Sequence, residues 1–235
     1  MNPLVSVMIG AYNAAPYLGE AIESALSQDY EPIELIVVDD GSTDETADVA
    51  RSFAQAKVIQ QENGGNGAAR NLAVENASGE LYAFLDADDR FTPGKLSLQK
   101  AALDADPGLD MVFGHVREFF SPELDEETQA SLRPPAPEPM PWTAPNLMLI
   151  RRPAFERVGA FTTAVRVGVT VDWFARAQEA GLRHTILPEV VLERRLHTQN
   201  NGLRESASRS QYLEVIRQAM ERRRAAPEAA QAEEP

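Results

Sequence analysis

Leu81-Tyr82-Ala83-Phe84-Leu85-Asp86-Ala87-Asp88-Asp89 decides the reading of this chain, because an unbroken apolar run passes directly into three carboxylates. A short continuous apolar run is the pattern of a strand buried on both faces. The acids at its end would repel one another without a cation. Carboxylates at that density suit hard divalent ions such as Mg2+ or Mn2+, which take oxygen ligands and share their coordination with a substrate's phosphates. The alternative is a solvated acidic turn ahead of Thr92-Pro93, which reads as an N-cap followed by proline at the first helical position.

Working outward, strand-like and helix-like segments alternate. Residues 5–9 read as a buried strand, and residues 16–28 carry Leu18, Ile22, Ala25 and Leu26 at helical spacing. Residues 34–38 are the next strand, ending in Asp39-Asp40-Gly41. Ser42 to Glu45 fits a capping box at a helix start. Residues 57–61 make a weaker third strand, 67–76 a helix, and 81–85 the fourth strand. This alternation predicts an α/β fold with a single, mostly parallel, Rossmann-like sheet flanked by helices. Ligands of such sheets bind outside the carboxyl ends of the strands. Tyr12-Asn13, Asp39-Asp40 and Asp86 to Asp89 all follow strand ends, which places an aromatic face, an acid pair and a candidate metal site along one edge. Those are the parts of a nucleoside-diphosphate site.

The character changes after about residue 115. Residues 121–145 hold seven prolines and the acids Glu123, Asp125, Glu126 and Glu127, so they read as a long excursion. Further on, 146–150 is regular structure, a short helix follows Pro153, and a helix over 171–180 stops at Gly181. Two short strands, 184–187 and 190–193, lead through Arg194-Arg195-Leu196-His197 to a final helix over 206–224. Residues 225–235 are rich in alanine, proline and glutamate and are expected to be disordered.

Composition closes off several classes. A net charge of −14 argues against a nucleic-acid partner, which requires a basic surface. The absence of cysteine excludes disulfides and thiolate zinc sites. No apolar run is long enough for a transmembrane segment and the N-terminus carries no leader pattern, so a cytoplasmic protein is expected. Gly65-Asn66-Gly67-Ala68-Ala69-Arg70 nearly spells a dinucleotide fingerprint, but arginine replaces the last small residue and the motif follows the third strand, which disfavours an oxidoreductase.

Taken together, residues 5–13 (VSVMIGAYN), 35–44 (LIVVDDGSTD), Asn66-Gly67 with Ala69-Arg70-Asn71, and Gly79-Glu80 leading into the acidic run resemble the inverting family 2 glycosyltransferases with the GT-A fold. The resemblance runs from Val5 to about Asn201. It implies a domain over 1–224, with a nucleotide-sugar-binding half (1–115) and a C-terminal acceptor-side half (116–224). It implies that Tyr12 stacks on the base of a nucleotide-diphosphate sugar, by preference a UDP-sugar, and that Asp40 reads the base edge. Arg70 would lie near the base or phosphates. Asp88 would touch the ribose side or help hold Mn2+ or Mg2+, Asp89 or Asp88 would coordinate the metal, and Asp86 would support it. The segment around Arg195-Leu196-His197 resembles the family's Arg-x-His-x-x-Asn segment, in which the histidine reaches the metal or diphosphate and arginines such as Arg194 and Arg195 offset the leaving-group charge.

One departure bears on catalysis. Where family members carry an acidic pair that includes the general base, this chain has Val169-Thr170. Asp172, two residues on, is the nearest carboxylate and the candidate base, or else a favourable charge near the positive end of its helix. Two functions follow: transfer of the sugar to a hydroxyl acceptor (glycan, lipid-linked, peptide or small molecule), or nucleotide-sugar binding with weak or no transfer.

Overall fold

The computed structural model describes residues 2–200 together with 215, 217 and 220–222. Its first half alternates as expected: β1 (Val5–Ala11), α1 (Ala15–Leu26), β2 (Ile33–Asp39), α2 (Thr46–Arg51), β3 (Ala56–Gln60), α3 (Asn66–Glu75) and β4 (Leu81–Asp86). β1 and β4 are buried along nearly their whole length, as strands covered on both faces must be. α1 buries Leu18, Ala21, Ile22 and Ala25, an i, i+3, i+4, i+7 stripe facing the core, and proline occupies its first turn.

The second half comprises β5 (Arg90–Phe91), α4 (Lys95–Ala105), β6 (Met111–Phe120), α5 (Glu126–Ser131), β7 (Met140–Pro141), a 3-10 turn (Pro145–Leu147), β8 (Leu149–Arg151), α6 (Arg152–Val158), α7 (Val169–Glu179) and β9 (His184–Leu196). The strands form one sheet in the order β3-β2-β1-β4-β8-β6-β9-β5, with β7 on the flank of β6. The long registers are parallel: β1 with β2 and β4, β2 with β3, and β6 with β9. The antiparallel pairings span only two or three residues each. Because Ala11 pairs with Asp39, and Gly10 with Asp86, the polar ends of β1, β2 and β4 meet at one edge.

Several local expectations are corrected. Ser42 to Glu45 is not a capping box: α2 starts at Thr46, and Ser42 instead accepts the backbone N–H of Asn13. Thr92 is not an N-cap, because α4 begins after Gly94 and the Thr92 hydroxyl donates to Val190 O. The ten-residue strand β6 had no counterpart in the sequence reading. Nor are there two short strands near the end. β9 runs through Pro188, and a register shift opposite Phe113 to His115 absorbs the residue that cannot donate to the ladder. Residues 121–145 hold α5, β7 and the first residue of the 3-10 turn. The expected final helix and tail lie outside the described residues, except that 215, 217 and 220–222 are helical.

The core under the second half is aromatic. Phe84, Phe155, Phe161 and Trp173 pack with ring centroids 5.4–5.9 Å apart, and the buried Trp173 indole donates to Gly159 O at 2.9 Å. Among the described residues no helix is long and apolar enough to cross a membrane.

Candidate active site

A cleft of about 440 Å3 opens where β1, β2 and β4 end. Of the residues singled out in the sequence, Tyr12, Asp40, Asp86, Asp88, Asp89 and His197 line it, and Arg70, Asp172 and Arg195 do not.

Its rim is built by two loops stitched together. Asn13 N donates to Ser42 Oγ (2.9 Å), Thr43 N to Asn13 Oδ1 (2.8 Å) and Ala14 N to Thr46 Oγ1 (2.8 Å). Asn13 holds a left-handed φ of 48° to do so, a conformation asparagine tolerates. The stitching leaves the Tyr12 ring 48% exposed over the cleft. Beside it, Asp40 is buried and its carboxylate accepts from Gln61 Nε2 (2.6 Å), Gly64 N (2.8 Å) and Gly65 N (2.8 Å). Asp40 therefore organises the 61–65 loop, and only what remains of its acceptor capacity can meet a base. Gly41 (φ 74°) is confined to glycine, since a Cβ there would meet Asn63 N at 2.9 Å. Arg166 closes the loop from the other side, donating to Asn63 Oδ1 at 2.8 Å.

The three acids of the turn have different partners. Asp86 accepts from Arg70 Nη2 (2.7 Å) and Asn146 Nδ2 (3.0 Å). Asp89 is buried and accepts from Arg195 N (3.0 Å) and Asn146 Nδ2 (2.9 Å). Burial, then repulsion from Asp88 and Asp86, pushes the Asp89 carboxyl well above the usual carboxylate range, a state that a nearby cation would relieve. Asp88 Oδ2 instead meets His197 Nε2 at 2.9 Å and Asn200 Nδ2 at 3.3 Å. Asp89 is buried with a protein donor on each oxygen, whereas the Asp88 side chain is partly exposed, so Asp88 is the more accessible of the two expected metal ligands. His197 is buried, and its Nδ1 faces the Gln199 N–H at 3.3 Å. That contact puts the neutral ring's proton on Nε2, from where it donates to Asp88. The ring also packs against Tyr17, whose hydroxyl is pushed up to about 12 by burial and by its hydrogen bond to Glu123.

Three expected site residues stand back from the cleft. Arg70 supports Asp86 and lies over the Phe161 ring. Arg195 is buried between the Tyr17 and Phe119 rings and is bound to Glu20, Ser121 Oγ and Asp88 O. It fixes the backbone of the acidic turn, and its neighbour Arg194 lines the cleft in its place. Asp172 is buried, and its oxygens meet Arg176 Nε (2.9 Å) and Arg222 Nη1 (3.2 Å). These two arginines, with its absence from the cleft wall, speak against Asp172 as the base. Sequence reasoning missed Asn63, Asn146 and Arg166; no local pattern marks any of them.

Among the described residues no three His, Asp or Glu side chains converge as a ready-made metal cage. The pair Asp88 and His197 nevertheless fits a divalent cation that keeps water and diphosphate oxygens as its other ligands, since such ions are commonly held by only one or two protein carboxylates.

The sequence model of the family described as Glycosyl transferase family 2 matches residues 6–164. An uncharacterized glycosyltransferase of Rickettsia felis is 32% identical over 219 residues, covering 85% of this chain and 35% of that protein. Glycosyltransferase AglE of Haloferax volcanii is 32% identical over 204 residues, covering 80% of this chain and 66% of its own length. The chain thus spans about a third to two thirds of these curated relatives. Among solved structures, S. aureus TarS 1-349 in complex with UDP-GlcNAc has a TM-score of 0.72 at 22% identity, covering 92% of this chain and 65% of that one. Mannosyltransferase PcManGT from Pyrobaculum calidifontis, in complex with GDP-Man and Mn2+, has a TM-score of 0.71 at 24% identity, covering 94% and 65%. These two likenesses are of fold, and the fold is GT-A. With the family's match covering well over half its length, the chain belongs to glycosyl transferase family 2.

Proposed function

We propose that this domain transfers a sugar from a nucleotide-diphosphate sugar, with uridine as the base, to a hydroxyl acceptor with inversion at the anomeric carbon. One observation carries the reading. Asp88 and His197, 109 residues apart in sequence, put a carboxylate oxygen and an imidazole nitrogen 2.9 Å apart in the cleft rimmed by the exposed Tyr12 ring. In this reading Tyr12 stacks on the base and Asp40 shapes the loop beneath it. Asp88 and His197 would hold Mn2+ or Mg2+, which requires the imidazole proton to move from Nε2 to Nδ1 and the 3.3 Å contact from the Gln199 N–H to give way. Such a cation supplies charge stabilisation to the departing diphosphate. Arg166 and Arg194 add donors on the cleft wall. Residues 1–115 then supply most of the donor side, joined by Arg166, Arg194 and His197, and the remainder of the second half (116–224) would serve the acceptor, whether glycan, lipid-linked, peptide or small molecule. The test is release of nucleoside diphosphate from a panel of sugar nucleotides with Mn2+, with the anomeric configuration of any product read by NMR. A retained configuration would overturn the inverting mechanism.

A second reading, donor binding with weak or no transfer, is favoured by a separate observation. The first turn of α7 carries Val169 and Thr170, and the nearest carboxylate, Asp172, is engaged by two arginines. Turnover that appears only when Val169→Glu is combined with Thr170→Asp would support this reading. Turnover by the unaltered chain would exclude it.

A further inference from the structure

We infer that Asn146 is a positioning residue that clamps the two outer carboxylates of the acidic turn, so that Asp88 alone of the three is presented to the bound cation. The inference rests on the donor-site reading above. Asn146 is buried in the 3-10 turn where the proline-rich segment re-enters the core. Its single Nδ2 donates to Asp86 Oδ2 at 3.0 Å and to Asp89 Oδ2 at 2.9 Å, one N–H for each carboxylate. The orientation is fixed by charge, because turning the amide over would set its oxygen against both acids. The other oxygens of those acids are held as well, Asp86 Oδ1 by Arg70 Nη2 and Asp89 Oδ1 by Arg195 N. Asp88 takes its partners from elsewhere, His197 and Asn200.

The chemistry explains why an amide stands here. Three acids within four residues would compete for one cation in different geometries unless two were restrained. Arg70 already brings one positive charge to Asp86, and a lysine or arginine at position 146 would add a second close to the cation. A primary amide offers two donors and no charge. The arrangement carries a cost that packing alone does not explain: Asn146 Oδ1 is buried without a hydrogen-bond partner among the described residues. Buried polar atoms left unsatisfied in this way call for a specific reason. The buried Lys95 Nζ approaches the Asn146 carbonyl oxygen at 3.4 Å and so holds the same residue from its backbone.

The test is calorimetry of UDP binding in Mn2+ and in EDTA, taking the ratio of the two affinities as the readout. Asn146→Ala is expected to lower that ratio by about tenfold or more, the usual effect of removing a group that orients a metal ligand, and to leave the EDTA affinity unchanged. Asn146→Ser, with one donor for two acceptors, is expected to fall between, and it carries the test if the alanine variant does not fold. A merely structural role would lower both affinities and the ligand-free melting temperature together and leave the ratio intact, which would overturn the inference. Failure of both variants to fold would overturn it too. If the unaltered protein shows no metal-dependent UDP binding, the donor-site reading itself falls and takes the inference with it.

Discussion

The carboxylate of Asp40 accepts from Gln61 Nε2, Gly64 N and Gly65 N, which uses three of its roughly four lone-pair directions. Tyr12 faces the same cleft with nearly half its surface exposed. The two residues should therefore respond differently to removal. Tyr12→Ala is expected to weaken nucleotide binding by about 1 kcal/mol, from lost stacking, with the melting temperature unchanged. Asp40→Ala is expected to cost about 2 kcal/mol of stability, since it orphans buried donors, and to weaken binding as a consequence of the disordered loop. Calorimetry paired with urea denaturation separates the two. Loss of affinity in the Asp40 variant without loss of stability would restore the base-edge role.

Helices α4 and α7 each carry a buried charged side chain whose meaning depends on packing. Lys95, at the start of α4, is fully buried over the Phe91 ring, and burial lowers its pKa well below the ordinary lysine value. Between that lowered value and about 10.4 the unfolded chain binds the extra proton, so stability contributed at this site rises with pH. Below that window the full cost of charging or burying the ammonium is present. The stability gap between the unaltered protein and Lys95→Met should therefore shift in favour of the former as pH is raised from neutrality towards about 10. A gap that stays constant in urea denaturation across that range would show that the lysine is not perturbed. On α7, Asp172 joins Arg176 on its own helix to Arg222. Asp172→Asn is expected to cost about 2 kcal/mol, from charge-assisted hydrogen bonds, and to leave nucleotide affinity as it was. Transfer lost with stability retained would reinstate Asp172 as the base.

Across the entire domain, the pairing of β1 with both β2 and β4 gathers the donor-side loops, and β9 brings His197 back to the end of β4 from the far side of the sheet. Ligand binding at that meeting point should stabilise the whole fold. UDP with Mn2+ at about a hundred times the dissociation constant is expected to add about 2.7 kcal/mol. Asp88→Ala and His197→Ala should each lose most of the increment that Mn2+ adds over EDTA, measured against each variant's own ligand-free melting temperature. A thermal-shift series checks this directly, and an undiminished Mn2+ increment in both variants would move the metal elsewhere.

The sequence by itself determined the α/β alternation, the strands 5–9, 34–38 and 81–85 to within a residue or two, and the acidic turn, because apolar periodicity and turn residues are local signals. It also brought Tyr12, Asp40, Asp88 and His197 forward as cleft residues, through motifs whose spacing survives in the chain. It did not yield β6, whose apolar run is broken by Gly114, His115, Arg117 and Glu118, nor the continuity of β9 through Pro188. Only the tertiary structure decided which acid of the turn faces which partner. Asn146 lies 60 residues from Asp86, Arg195 lies 106 from Asp89, and His197 lies 109 from Asp88. A carboxylate's role depends on the donors that reach its two oxygens. When those donors arrive from elements distant in the chain, no local pattern around Asp86, Asp88 and Asp89 can tell the three apart.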